Sequence, residues 1–265
     1  MEWDPEDYAN NSQAQLEWAR ELIARLDLAG DEAVLDIGCG NGGVTSELAR
    51  ALPEGFVLGI DSSAAFVKYA SGNYRSDGYP NLAFEQMDAR KLISDRSFDI
   101  IFSNAALHWV DDHPAFLAGA ARLLKSRGTL IISCGGEGNA AGIVDAMEEV
   151  IRKKQWQEYF SEFKLPYYFH STNDYETWLP AAGFTSTRLE LVEKDMTHQG
   201  HEGLAGWIRT TWIPYIHQVP EQLRGGFISE CVNAYLERYP LDDVGKSHVR
   251  MIRLEVEANL KMEAP

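Results

Sequence analysis

Cysteine, positive charge and long apolar runs are all scarce in this sequence. Its three cysteines (Cys39, Cys134 and Cys231) form no C-x-x-C pair, which favours a reducing cytoplasm. Only 24 Lys and Arg stand against 40 Asp and Glu, a net charge of −16. Because a phosphate backbone would be repelled by this charge, no nucleic-acid partner is expected.

Membrane insertion, secretion and metal binding also have little support in the sequence. No apolar stretch reaches the roughly 18 residues of a membrane span, and the polar, acidic start shows no secretory signal. The intervening Gln199-Gly200 predicts a turn between His198 and His201, so no metal site is predicted there. We expect a cytoplasmic protein with no membrane partner, and a monomer is favoured.

Strand and helix patterns alternate between residues 33 and 134, which predicts a parallel sheet with helices on both faces. The predicted strands lie near 33–37, 56–60, 82–87, 98–103 and 128–134. The predicted helices between them lie near 43–52, 63–75 and 113–125. After Gly138 the pattern changes. Helical patterns then cover 139–163, 172–182, 201–216 and 220–238, and strand-like alternation covers 184–196 and 249–256.

A glycine-dense turn follows the first predicted strand and is the strongest local signal. Gly38, Gly40 and Gly43 satisfy G-x-G-x-x-G, the dinucleotide fingerprint. Asp36 with Gly38, Gly40 and Gly42 satisfies D-x-G-x-G-x-G. Glycines let the backbone turn tightly and approach a ligand closely. A glycine turn without a ligand is the third interpretation.

Asp61 ends the second predicted strand, about 20 residues past the glycines. An acidic residue there can accept hydrogen bonds from both hydroxyls of an adenosine ribose. NAD and S-adenosylmethionine (SAM) both carry that ribose, so Asp61 predicts a nucleoside cofactor without choosing between them.

The ends of the third and fourth strands complete a recognisable set of motifs. Asp88-Ala89 follows the third strand, and residues 98–109 read F-D-I-I-F-S-N-A-A-L-H-W. With D-I-G-C-G-N-G and G-I-D-S-S, these elements resemble class I SAM-dependent methyltransferases in order and spacing. The resemblance is greatest to small-molecule carboxyl O-methyltransferases of the trans-aconitate methyltransferase type.

The resemblance implies a Rossmann-like, doubly wound α/β fold. Its seven-stranded sheet would be mostly parallel, with an antiparallel last strand. Residues 1–30 would be an N-terminal helical lid and 31–138 the SAM-binding core. Residues 139–265 would complete the sheet with strands near 184–195 and 247–257, and helices between them (201–239) would form a substrate roof.

The resemblance also implies SAM as the cofactor and assigns its contacts. Asp36 would order the turn, the backbone of Gly38 and Gly40 would face the methionine part, and Tyr8 would belong to the lid. The remaining cofactor contacts would be Asp61 and Ser62 at the ribose, Asp88 and Ala89 at the adenine, and Asn104 near the amino group.

The implied acceptor is the carboxylate of a small organic acid, which is already ionised at neutral pH and needs no general base. Gln13 and Trp109 would donate hydrogen bonds to it as catalytic residues. Further substrate contacts would come from His108, Trp207 and Arg209. Alternatives are methylation of another small molecule at carbon or nitrogen, a non-catalytic SAM-binding protein, and an NAD-dependent oxidoreductase, for which no hydride-transfer pair is visible.

Overall fold

Seven strands form one sheet in the part of the chain that the structure, a computed structural model, describes, namely residues 13–261. Their order is β3-β2-β1-β4-β5-β7-β6. The strands are β1 Ala33–Ile37, β2 Phe56–Asp61, β3 Leu82–Gln86, β4 Phe98–Asn104, β5 Leu124–Gly135, β6 Phe184–Gln199 and β7 Lys246–Leu260.

Helices connect these strands. They are α1 Gln13–Ile23, α2 Gly43–Ala51, α3 Ala64–Asn73, α4 His113–Leu123, α5 Ala141–Ile151, α6 Thr172–Ala181, α7 Gly200–Thr211, α8 Ile213–Ile216 and α9 Glu221–Arg238. Short 3₁₀ helices cover Ala89–Lys91, Leu107–Trp109 and Gln157–Phe160.

The sheet is parallel from β3 to β5 and then turns antiparallel. β1 pairs in parallel with β2 and β4, β2 with β3, and β4 with β5. β7 runs antiparallel to β5, with Thr129 opposite Asn259 and Gly135 opposite Arg253. The predicted mixed, Rossmann-like sheet is therefore confirmed. The strand order reverses between β1 and β4, and open α/β sheets bind ligands at the carboxyl ends of such strands.

The sequence forms these inner strands because their side chains are buried on both faces. Val34 packs in one hydrophobic cluster with Val57 and Ile131. Its neighbour Leu35 packs in a second cluster. Successive side chains of a strand point to opposite faces, so a continuous apolar run is needed where helices cover both.

The described residues divide into two compact units. The first, which we call the sheet unit, comprises 13–137, 167–192 and 253–261. The second, which we call the roof unit, comprises 138–166 and 193–252. Within the roof unit α9 packs against α5 and α7. Two of the four boundaries between the units fall within β6 and β7, and the other two lie between 137 and 138 and between 166 and 167.

Several element ends differ from their predicted positions. β5 begins at Leu124 instead of residue 128, with an irregular register between Phe98 and Ile100 of its partner β4. β6 and β7 extend to Gln199 and Leu260. The helix predicted over 139–163 ends at Ile151.

Candidate functional site

The turn between β1 and α2 requires glycine. Gly38, Gly40 and Gly42 have φ of 73°, 52° and 83°, in the left-handed region that side chains disfavour. A Cβ on Gly38 would lie 2.1 Å from the Cβ of Ala106, which follows β4. The turn after β1 and the segment after β4 therefore touch without room for a side chain at position 38.

Asp36 is buried beneath this turn. It is 2% exposed, and the Thr45 hydroxyl of α2 donates to its Oδ2 at 2.7 Å. Burial raises the pKa of Asp36 to about 7, the Thr45 hydrogen bond opposes this rise, and the charge of Asp61 adds to it. The carboxyl group links β1 to the first turn of α2.

Asp61 is fixed at the end of β2 by two backbone N–H groups. Gly40 donates to its Oδ2 at 3.0 Å, and Ser63 donates to its Oδ1 at 2.9 Å. Burial raises the pKa of Asp61, and these two hydrogen bonds counteract the rise. Each carboxylate oxygen can accept more than one hydrogen bond, so both can still accept from a vicinal diol. Ser62 beside it is exposed.

Asp88 is the centre of an ion-pair cluster after β3. Its carboxylate accepts from the backbone N–H of Arg90 at 2.9 Å and from the guanidinium, with the shortest distance 2.6 Å. Arg90 also donates to Asp111 at 2.9 Å. The hydrogen bond from Arg90 lowers the pKa of Asp88, so this carboxylate is ionised at neutral pH. Ala89, half-buried, follows it directly.

Asn104 lies at the end of β4 beside a buried arginine that the sequence analysis did not single out. Arg253 of β7 is 2% exposed, donates to Asn104 Oδ1 at 3.3 Å and to Ser133 Oγ at 3.2 Å, and lies 5.3 Å from the ring of Trp18. The alternating pattern of 249–256 placed Arg253 in a strand, but its burial depends on packing against α1, which that pattern does not report.

An aromatic cluster surrounds the turn after β4, formed by His108, Trp109, Tyr167 and Phe169. The rings of Trp109 and Tyr167 are 4.4 Å apart, and those of Tyr167 and Phe169 stack at 5.6 Å. The backbone N–H of Tyr168 donates to the carbonyl of His108 at 2.9 Å, which holds the second segment against the first. The aromatic run at 167–169 was visible in the sequence, but nothing there linked it to Trp109.

His108 is neutral at physiological pH. Its Nδ1 accepts from the backbone N–H of Gly135 at 3.2 Å. Burial, followed by the charge of Arg253, lowers the pKa of His108 to about 3. The ring proton is therefore on Nε2, which makes that atom a donor.

The other predicted acceptor contacts lie elsewhere or outside the described region. Trp207 is 2% exposed and Arg209 is exposed, both on α7 of the roof unit. Gln13 is the first residue of α1, but its side chain lies outside the described part of the structure, and so does all of Tyr8. The roof aromatics Trp207, Trp212, Tyr215, Phe227 and Tyr235 are all buried.

The described residues contain neither a metal-binding cluster nor a membrane-spanning helix. Between residues 13 and 261, no group of three His, Cys, Asp or Glu side chains is arranged to hold a metal ion. No helix in that range is long and apolar enough to cross a bilayer.

The polar groups of this site fit an adenosine-containing cofactor. Three adjacent parallel strands, β1, β2 and β3, carry these groups at their carboxyl ends: the glycine turn, the Asp61 carboxylate and the Asp88 carboxylate. A ribose diol matches a carboxylate whose two oxygens are held by backbone N–H groups and remain able to accept. Fold and site thus define an α/β protein of the nucleoside-cofactor-binding class.

Comparison with known proteins narrows this class. A profile of the methyltransferase domain family matches residues 28–183, so the chain belongs to this family. The trans-aconitate 2-methyltransferase of Methylobacterium nodulans is 28% identical over 251 residues, which are 90% of this chain and 91% of that protein. The trans-aconitate 2-methyltransferase of Deinococcus radiodurans is 40% identical over 132 residues, 50% of this chain and 49% of that protein.

A solved structure shows the same fold. Geranyl diphosphate C-methyltransferase from Streptomyces coelicolor, in complex with S-adenosyl-L-homocysteine, has a TM-score of 0.56 at 16% identity, covering 96% of this chain and 82% of that chain. The predicted resemblance to class I methyltransferases is confirmed. The cofactor of this protein is SAM.

Proposed function

We propose that this methyltransferase transfers the SAM methyl group to a carboxylate of a small organic acid, with trans-aconitate as the favoured type of acceptor. The observation that carries the proposal is the position of Trp109. It lies in the turn directly after β4, and Ala106 of the same segment packs against Gly38 of the cofactor turn. The two trans-aconitate 2-methyltransferase relatives support this acceptor class.

Little acid–base chemistry is needed for this reaction. When bound, SAM supplies an electrophilic methyl group on a positively charged sulfur. A carboxylic acid has a pKa near 4, so at pH 7 it is ionised and its carboxylate is already a competent nucleophile. The side chains must therefore align the acceptor oxygen and exclude water, and alignment alone can contribute on the order of 7–11 kcal/mol.

The proposed acceptor contacts divide into donors near the turn and donors in the roof unit. Trp109 Nε1–H and His108 Nε2–H are donors on one short segment, and Gln13 of α1 is proposed to add its amide. Trp207 and Arg209 are proposed to contact the distal part of a polyacid, where the Arg209 guanidinium supplies a charge matched to a carboxylate.

The positions of the candidate-site residues support a set of proposed cofactor contacts. We propose that Asp61 and Ser62 bind the ribose, Asp88 and Ala89 the adenine, and the Asn104 backbone the amino group. Gly38 and Gly40 would face the methionine part through their backbone. Asp36 acts from beneath the turn. Tyr8 would close over the cofactor from the N-terminal lid.

A second candidate is methylation at nitrogen. The cluster of His108, Trp109, Tyr167 and Phe169 presents aromatic faces, and such faces attract ammonium groups by about 0.5–2 kcal/mol. An amine held in this form would have to lose a proton to solvent before its nitrogen could accept the methyl group. The product distinguishes the candidates, because a methyl ester is hydrolysed by mild base and a methylated amine or carbon is not. A labelled-methyl assay over a panel of acids and amines, with a base wash, makes this measurement. A base-stable product would contradict the carboxylate assignment.

Trp109→Phe tests the acceptor contact, because phenylalanine keeps most of the ring area and deletes the N–H donor. We expect kcat to fall roughly ten- to a hundredfold, about 1.4–2.7 kcal/mol in the barrier. SAM affinity should change much less. Trp156→Phe is the matched control, a buried tryptophan of the roof unit that is placed in no site. Ester formation at the wild-type rate by Trp109→Phe would reduce Trp109 to a packing role.

A further inference from the structure

His113, the first residue of α4, is fully buried and makes two hydrogen bonds, one as a donor and one as an acceptor. Its Nε2 is 2.9 Å from the carbonyl oxygen of Leu107, and its Nδ1 is 2.6 Å from the hydroxyl of Tyr175. A carbonyl can only accept, so Nε2 carries the proton and Nδ1 accepts from the tyrosine. The contacts thus select one neutral tautomer, and burial, followed by the nearby His170, lowers the pKa of His113 to about 4.

The carbonyl that His113 contacts belongs to the turn that carries Trp109. Leu107 O also accepts from the backbone N–H of Val110 at 2.9 Å, and the N–H of Trp109 donates to Ala106 O at 3.0 Å. Ala106 packs directly on Gly38, where even one Cβ would clash. The short turn is therefore held from one side by the cofactor turn and from the other by the His113 imidazole.

Tyr175 supplies a rigid support for this second anchor. It is 0% exposed on α6 and belongs to the same hydrophobic cluster as Leu107 and Phe116. A capping box formed by Ser171 and Asp174 fixes the start of α6. The ring of His170 lies 4.3 Å from that of His113, edge to face, and closes the pocket around the imidazole.

We propose that His113 and Tyr175 are positioning residues that hold the Leu107–Trp109 turn, and with it the Trp109 indole, in the geometry that methyl transfer uses. The proposal rests on the proposed acceptor role of Trp109. The hydroxyl of Tyr175 fixes the imidazole tautomer, the imidazole N–H fixes the Leu107 carbonyl, and the turn then has one arrangement. Both residues are fully buried and act, in this proposal, through the turn and not by contact with cofactor or acceptor.

Matched substitutions separate this role from simple core packing. In His113→Gln the side-chain amide reaches the position of Nε2 and can still donate to Leu107 O. In His113→Asn the shorter amide replaces Nδ1, and the Leu107 carbonyl loses the side-chain donor while it keeps the backbone N–H of Val110. Tyr175→Phe removes only the hydroxyl. Tyr79→Phe is the control, because it removes a tyrosine hydroxyl that contacts Arg50, remote from the β4 turn.

The main readout is ¹⁹F NMR of the full chain labelled with 5-fluorotryptophan, recorded without cofactor or acceptor. The chain has seven tryptophans, and Trp109→Phe assigns the Trp109 signal. We expect this signal to shift or broaden in His113→Asn and Tyr175→Phe, and to stay in place in His113→Gln and Tyr79→Phe. Methyl-transfer kcat should fall by roughly three- to tenfold in the first pair only, with SAM affinity unchanged.

An unmoved Trp109 signal in both His113→Asn and Tyr175→Phe would overturn the proposal. A moved signal with wild-type kcat would overturn it too, because the turn geometry would then not matter for transfer. The signal needs no reaction, and the product of the wild-type protein is identified separately by its lability to base. Failure of the positioning role is therefore distinguishable from failure of the proposed function.

Discussion

At the residue scale, Asp36 and Asp61 show how one short region uses two carboxyl groups differently. Both have raised pKa values because they are buried. Asp36 is buried under the turn and bonded to a neutral hydroxyl, whereas Asp61 is bonded to two backbone N–H groups. Asp36 therefore serves the structure of the turn, and Asp61 suits a charged acceptor of hydrogen bonds.

Asp36 should make stability fall as pH rises. Its pKa is about 7 in the folded protein against an ordinary value of 3.8, so ionisation costs the folded state progressively between about pH 4 and pH 7. Asp36→Asn keeps an acceptor for Thr45 and removes the titration. Between pH 5 and pH 8, wild type should lose on the order of 3 kcal/mol of unfolding free energy relative to this variant. Urea unfolding of both proteins at the two pH values measures the difference, and a constant difference would contradict the assignment.

Asp61 should control cofactor affinity through its ionised form. Asp61→Asn is expected to weaken S-adenosylhomocysteine binding by about 1.5–3 kcal/mol, the scale for hydrogen bonds to a charged group. Because burial raises the pKa of Asp61, wild-type affinity should also fall as acidic pH protonates it, and the variant should lack this dependence. Calorimetry over a pH series makes the measurement, with the exposed Glu54→Gln as control. Unchanged affinity in folded Asp61→Asn would remove the residue from the site.

The candidate-site residues that were predictable from sequence lie at or next to the carboxyl ends of strands. Asp36, Asp61 and Asp88 belong to local motifs, and the parallel order of the sheet brings such ends to one edge. Arg253 and Tyr167 were not predictable, because each reaches its place through a contact distant in sequence. Arg253 meets Asn104 and Tyr167 meets Trp109 only after the chain has folded.

At the scale of elements, β1, β2 and β4 were predicted within one residue, whereas β5 begins four residues before its predicted start and the peripheral elements were predicted less well. A strand covered on both faces needs an unbroken apolar run, which is visible in a sequence. The helix predicted over 139–163 is too long, because Trp156, Phe160 and Phe163 repeat at helical spacing. In the structure Phe160 lies in a short 3₁₀ helix, and Trp156 and Phe160 both pack on Phe227. The spacing of apolar residues indicates which side chains are buried together, but it does not determine the backbone conformation of the segment.

The segment before α1 is the element for which we predict a change on binding. Residues 1–12 precede α1, and we propose that Trp3–Gln13 closes over the cofactor. Amide hydrogen exchange of peptides covering 1–15 should then slow when S-adenosylhomocysteine is bound. Peptides of the exposed 75–78 region serve as the internal reference. Equal exchange with and without ligand would leave the segment as an ordinary terminus.

At the scale of the whole molecule, the net charge of −16 and the site together predict ligand selectivity. A ligand that binds only the folded state stabilises it, by about 2.7 kcal/mol at a hundredfold excess over Kd. S-adenosylhomocysteine should raise the unfolding free energy in this way, and NAD, whose diphosphate this charge repels, should not. Urea unfolding at matched ligand concentrations tests the difference, and stabilisation by NAD alone would contradict the cofactor assignment.

The division of the chain into units has a consequence for how such an enzyme could change its specificity. The roof unit consists of two separate stretches, 138–166 and 193–252, and Asp36, Asp61, Asp88 and Trp109 all lie outside both. Recombination that exchanges only these two stretches between relatives would leave those four residues untouched. A chimera with four junctions would therefore inherit Trp109 and the residues that we propose bind the cofactor from one parent, and the roof unit from the other.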